Sequence, residues 1–192
     1  MKPTEIFQTL EDRQNDGYVE KHGPFFCALR DSAGQLKRGV KEPWLGEGYY
    51  FWDTRIENAR WWGNTVYNKQ GYLICRTVYD QHSPLLCDLV GDLHMFDEFV
   101  KCAKLIKEKK NVEKVSFPVV LNYLKGFTPF VYKAIRVWPF SNNVKEMEVV
   151  FPDFRFSLGM LDKVQICFFD KTLLTEPFCI VDKVSSVANQ TI

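Results

Sequence analysis

Apolar residues recur along this chain with two periods, and the periods divide it into elements. From 93 to 110, LHMFDEFVKCAKLIKEKK, the residues Phe96, Phe99, Ala103 and Ile106 return every three or four positions, the spacing of one helix face. A shorter helix is predicted over PVVLNYLKG, with Pro118 at its start and Gly126 at its end. A third is predicted over DTRIENARWWGNTVY, where Ile56, Ala59, Trp62 and Val66 keep helical spacing and Asp53 or Thr54 can cap the first turn. Aromatic and β-branched runs bounded by turn residues predict strands at GYYFW (48–52), GYLICRTVY (71–79), LLCDLV (85–90), FVYKAIRVW (130–138), EMEVVF (146–151) and KVQICFF (163–169). PFFCALR, residues 24–30, reads as a strand or the start of a buried loop. Helices and strands do not alternate regularly, which argues for an α+β fold rather than a doubly wound sheet.

Composition narrows the picture. A chain of 192 residues suits one domain with a real core, spanning 1–192, and nothing repeated, low in complexity or linker-like divides it. With 46% apolar and 26% charged residues it reads as globular rather than disordered. A formal charge of +1 argues against a strongly basic nucleic-acid binder or a membrane-surface protein. The six cysteines are scattered, form no CxxC and mostly lie among apolar neighbours, as reduced core thiols do. No segment resembles a signal peptide or reaches transmembrane length, so the expected location is cytoplasmic, with no membrane partner.

The candidate chemistry centres on GEGYYFWD, residues 46–53. A Gly-x-Gly ahead of a strand lets backbone approach a ligand closely, because no Cβ stands in the way. Alternation puts Tyr50 and Trp52 on one face and Tyr49 and Phe51 on the other, so one face can join the core while the other offers a stacking surface. The plain alternative is an aromatic core strand after a tight turn.

Two further segments, KHGPF before this block and KEMEVVFP after it, complete an ordered trio that resembles the NAD-binding core of the ADP-ribosyltransferase superfamily, shared by diphtheria-type toxins and poly(ADP-ribose) polymerases. His22-Gly23 is similar to the His-Gly pair of that family's first core strand. GEGYYFWD is similar to its Gly-x-Gly-x-Tyr-Phe-x-Asp segment and places the family tyrosine at Tyr50. NARWW puts Trp61 where polymerase-like members carry a second aromatic, and Glu146-x-Glu148 resembles the catalytic-glutamate strand. The matching elements lie between about 20 and 170. The resemblance implies a one-domain α+β core of two packed β-sheets with peripheral helices, using NAD as co-substrate.

The implied roles fit the chemistry of the bond to be cut. Breaking the nicotinamide–ribose bond of NAD builds an oxocarbenium-like charge on the ribose, and the leaving group departs neutral without help from an acid. Glu148 is then the fixed carboxylate beside the developing cation, and Glu146 orients or deprotonates the acceptor. His22 bonds a ribose hydroxyl, Gly23 pairs with the nicotinamide amide, and Tyr50 and Trp61 bracket the ring.

Each residue also has a plainer reading. His22 fits a solvated turn, Tyr50 and Trp61 fit a core, and the two glutamates fit the solvated face of an edge strand. Arg30 is a rival for the first-strand role, since another branch of the superfamily uses arginine there, although that branch's Ser-Thr-Ser segment has no counterpart at GYYF. The possible metal ligands His82, Cys87, Asp88, Asp92 and His94 have none of the compact zinc spacings and read as structural. Lysines at 101, 104, 107, 109, 110 and 114 form a basic patch that suits either a solvated helix face or a phosphate backbone.

The expected activity is transfer of ADP-ribose to a protein or nucleic-acid acceptor, and by analogy the compact size suits an intracellular toxin or phage-defence effector. The alternatives are a catalytically silent module that binds NAD or ADP-ribose, and a nucleic-acid-binding protein without NAD chemistry.

Overall fold

The computed structural model describes residues 2–31, 33–37, 43–127, 129–139, 148–150, 157–159 and 162–186, with 148–150 and 157–159 described as backbone. The chain is α+β. Its strands are β1 (Pro3–Glu11), β2 (Tyr49–Asp53), β3 (Gly71–Asp80), β4 (Leu86–Asp88), β5 (Ala134–Val137), β6 (Glu148–Val150), β7 (Ser157–Gly159), β8 (Gln165–Phe168) and β9 (Cys179–Ser185). Among the described residues four helices join them: α1 (Asp16–His22), α2 (Ile56–Val66), α3 (Leu93–Lys110) and α4 (Phe117–Lys125).

Seven strands form one sheet in the order β4-β5-β8-β2-β1-β3-β9, and β6 and β7 pair as a separate antiparallel hairpin. Among the described residues only the β4–β5 pair is parallel. The long β1–β3 ladder, which runs from Pro3 opposite Asp80 to Glu11 opposite Tyr72, forms the backbone of the sheet.

Both faces are covered, which explains why GYLICRTVY is nearly continuously apolar. One face packs Ile6, Phe51, Leu73, Cys75, Ile166 and Phe168 beneath Val19 of α1 and Phe178. The opposite face carries two groups. Phe7, Trp52, Tyr72 and Ile74 pack beneath α2, while Tyr50, Ile135 and Cys167 pack with Leu45 and Leu121 of α4. The sheet curls around its first face. The rings of Tyr79 in β3 and Phe168 in β8 lie 5.6 Å apart, although three strand spacings would separate their strands by about 14 Å in a flat sheet.

The helix predicted over 93–110 is α3. Asp92 caps it by accepting a hydrogen bond from Met95 N–H at 2.9 Å, and Asn111 closes it in the left-handed region. Of its expected inward residues Ile106 is buried, whereas Phe96 stays largely exposed. In α2 neither expected cap serves. Arg55 occupies the N-cap position without a side-chain bond, Asp53 faces Arg136, and Thr54 sits at φ 62°.

Residues 24–30 form no continuous strand. Cys27 and Arg30 make isolated bridges to Gly48 and Leu36. Four described elements absent from the sequence reading are β1, α1, β7 and β9. Among the described residues no helix is long and apolar enough to cross a membrane.

Candidate functional site

The two glycines ahead of β2 have specific work, and it is internal to the fold. Gly46 adopts φ +77°, a conformation that side chains resist, and turns the chain through a bond from its N–H to the Pro43 carbonyl at 2.8 Å. At Gly48 a Cβ would collide with Cys167 Sγ and the Phe168 carbonyl. The close backbone approach expected for a ligand is therefore made to β8 instead. Tyr50 secures this corner. Its hydroxyl accepts a bond from Leu45 N–H and donates one to the Gly46 carbonyl, both at 2.8 Å. Burial holds its phenol above the ordinary tyrosine range. The Tyr50 hydroxyl is thus committed to backbone.

On the same face α2 lies tight against the sheet, because a side chain at Gly63 would run into the Tyr72 ring. Ala59 is fully buried, and its carbonyl accepts a bond from Thr9 Oγ1 at 2.9 Å. This close seat leaves the next two helix residues, Trp61 and Trp62, at the rim around buried Trp52. The three indole centroids are 6.0–6.1 Å apart, with Trp52 and Trp61 edge to face at 84°. Trp61 is 42% and Trp62 38% exposed. Lys163 holds its ammonium 4.2 Å from the centre of the Trp61 ring. Among the described residues the ring neighbours of Trp61 are Trp52 and Trp62; Tyr50 lies on the same face of the sheet without a ring contact to Trp61.

His22 and Gly23 lie elsewhere. They end α1 instead of sitting on the first core strand, which is Pro3–Glu11. The His22 ring stacks on Tyr18 at 4.1 Å, and its Nδ1 lies 3.0 Å from the Tyr18 carbonyl. Gly23 precedes a cis bond to Pro24 and is crowded by the Phe178 ring. Because Val19 anchors α1 among Ile6, Phe51 and Leu73, this pair belongs to the face opposite Tyr50 and Trp61. The rival Arg30 is also off the strand, its guanidinium on the Gly34 carbonyl at 2.7 Å. Glu146 lies outside the described residues. Glu148 opens β6 with its backbone opposite Gly159.

A charged cluster that sequence reasoning missed joins β2, β4 and β5 on the first face. Arg136 meets Asp53 Oδ2 through Nε at 2.8 Å and Nη2 at 2.7 Å, and reaches Asp88 through Nη1 at 3.0 and 3.2 Å. The remaining valences are filled. Asp53 Oδ1 accepts from Thr54 Oγ1 at 3.1 Å and faces the Tyr79 hydroxyl at 3.5 Å, while Asp88 Oδ1 accepts from Val90 and Gly91 N–H. Burial opposes the charge on Arg136, but Asp53 and Asp88 outweigh it and hold the guanidinium above its ordinary value. Tyr79 is pushed upward by burial first and by Asp53 second. No spacing rule links positions 53, 88 and 136; the sequence marks Asp53 as a helix cap and Asp88 as a possible metal ligand, and nothing in it marks Arg136.

Of the other residues weighed as metal ligands, Cys87 is buried, with its thiol pushed up to about 12 by desolvation, and Asp92 caps α3. No family model matches the chain, and no curated protein or solved structure matches it either. Chemically, then, the charged cluster is closed, while the tryptophan group offers open aromatic faces beside a cation.

Proposed function

We propose that the chain is an NAD-dependent ADP-ribosyltransferase whose nicotinamide platform is the Trp52–Trp61–Trp62 group at the junction of β2 and α2. The observation that carries this reading is the pairing of half-exposed indoles with the Lys163 ammonium 4.2 Å from Trp61. NAD presents a planar cationic ring and an anionic diphosphate. An indole face attracts the first, and a nearby lysine can turn to the second. The resemblance of GEGYYFWD to the superfamily and the position of Glu148 on a strand after it support the same reading.

In this reading the seven-stranded sheet and the β6–β7 hairpin belong to the two-sheet core. Glu148 stabilises the ribose cation, and Glu146 addresses a protein or nucleic-acid acceptor. Tyr50 shapes the glycine corner that positions β2. His22 and Gly23, on the opposite face, take no part.

The test is incubation with NAD while released nicotinamide is measured, alone and with protein or nucleic acid added. Wild type releases nicotinamide, and Glu148→Gln cuts the rate by about a hundredfold or more while NAD affinity changes little. Full activity in that variant removes Glu148 from the mechanism. A second reading, a silent NAD-binding module, is favoured by the commitment of the Tyr50 hydroxyl to backbone. Binding of NAD without release of nicotinamide selects it. Nucleic-acid binding without NAD binding selects the lysine-patch alternative.

A further inference from the structure

α3 and α4 meet along a groove of about 260 Å³, lined by Cys102, Leu105, Lys109, Tyr123, Leu124 and Phe127. Part of its lining is apolar and open: Leu105 is 63% and Phe127 48% exposed. Two ammonium groups gather around the Tyr123 phenol of this lining. Lys109 Nζ lies 3.5 Å from the Tyr123 hydroxyl, and Lys110 Nζ lies 5.8 Å from the ring centre. Among the described residues neither makes an ion pair, whereas Lys101 on the same helix pairs with Glu98 at 2.8 Å. The segment from 101 to 114 holds six lysines against two glutamates, a concentrated positive field in a chain of net charge +1.

We propose that this groove binds a free amphipathic anion, a medium-chain carboxylate whose aliphatic tail lies between Leu105 and Phe127 and whose head is met by Lys109 and Lys110. The tail removes from water the apolar lining that the fold leaves uncovered. The head supplies the anionic partner that neither ammonium group has among the described residues, in charge-assisted hydrogen bonds. Dimensions favour a single chain as occupant. A peptide helix about 10–12 Å across does not enter a trough of this volume, and a bilayer meets a flat face rather than a groove between two helices. The inference is independent of the ADP-ribosyltransferase reading.

Decanoate, decanol and acetate, each below any micelle-forming concentration, are titrated calorimetrically into the full chain. Alkylation of Cys102, which is half-buried in the groove wall, is followed by peptide mass spectrometry as a local readout. Decanoate binds and slows Cys102 alkylation, acetate does neither, and decanol binds about tenfold more weakly because it lacks the charged head. Reversing the two exposed lysines, Lys109→Glu with Lys110→Glu, weakens decanoate about tenfold or more and spares decanol, while Leu105→Asp weakens both. Equal affinity for decanoate and decanol overturns the proposal, as does an unchanged Cys102 rate under saturating decanoate. Binding to phosphatidylglycerol vesicles without binding of monomeric decanoate also overturns it and assigns the patch to a membrane surface.

Discussion

Trp52 and Asp53 are adjacent in β2, yet the pleat turns them to opposite faces and into two unlike clusters. Asp53 enters a charged knot in which nearly every polar atom has a partner, with side-chain exposures of 3% for Asp53 and 11% for Arg136. The knot ties β2 to β5 across the intervening β8. Trp52 enters an aromatic group whose other two members are over a third exposed, with the ammonium of long-stemmed Lys163 over the Trp61 ring. A cluster whose valences are filled has nothing left to offer a ligand, and its worth is in holding strands together. A cluster with open ring faces contributes little to stability and keeps its capacity for binding. The family-like motif GEGYYFWD therefore contains both kinds of residue in immediate succession.

The sharpest way to break this contrast is to open the knot. Arg136→Met leaves Asp53 and Asp88 buried without their cation, and loss of one partner of a buried ion pair costs about 3–5 kcal/mol. Urea denaturation should show that loss, and a second variant, Asp53→Asn with Arg136→Met, should recover part of it because one of the two uncompensated charges has been removed. A cost below about 1 kcal/mol for Arg136→Met would mean water reaches the cluster and that the difference between the two faces is smaller than the geometry says.

Tyr50 sharpens the comparison from the aromatic side, since its ring lies on the face of Trp52 but its hydroxyl works like the knot. Tyr50→Phe keeps the ring and strands Leu45 N–H and the Gly46 carbonyl, a cost of about 1–3 kcal/mol. The pH dependence has a definite sign. Burial raises the folded phenol above its unfolded value, so its contribution is intact below about pH 10 and declines as pH rises through the unfolded value. Tyr50→Phe should flatten part of that alkaline decline, with Tyr79 supplying a similar remainder. A variant as stable as wild type at neutral pH, with the same alkaline profile, would return Tyr50 to the role of an open stacking ring.

What could be read from the sequence follows the same division between local pattern and distant partners. The periodicity of 93–110 and the aromatic run at 48–52 are local signals; α3 spans 93–110, and β2 stands one residue later than its run, at 49–53. β1 was hidden because it is buried on both faces and carries Gln8 in its middle. That polar residue is satisfied only in the folded chain, by Phe25 N–H at 2.9 Å, the Phe25 carbonyl at 3.0 Å and the Tyr50 carbonyl at 3.3 Å. The resemblance gave His22-Gly23 the place of a first-strand pair, whereas the chain is ending a helix there. The aromatic site was legible as a group of residues, whereas the choice of rings was not. Helix spacing gives Trp61 a direction, but the crowding at Gly63 decides that it meets Trp52 instead of Tyr50. Asp53–Arg136–Asp88 depends on contacts 48 and 83 residues apart, which one sequence cannot pair.

The smallest effect on stability is expected at Trp61, and there the comparison meets function. Trp61 is 42% exposed, meets Trp52 edge to face and Trp62 at a tilt, so Trp61→Ala should change the unfolding free energy by no more than about 1 kcal/mol. Far-UV circular dichroism should be unaltered. If the open indoles receive the nicotinamide ring, adding NAD to wild type quenches part of the tryptophan fluorescence, and Trp61→Ala removes most of that change. The two measurements must separate: a residue that matters for ligand and hardly for stability is what an open cluster requires. Should Trp61→Ala instead destabilise the chain by several kcal/mol while leaving the quenching intact, Trp61 belongs with the structural residues, and the nicotinamide platform has to be sought away from α2.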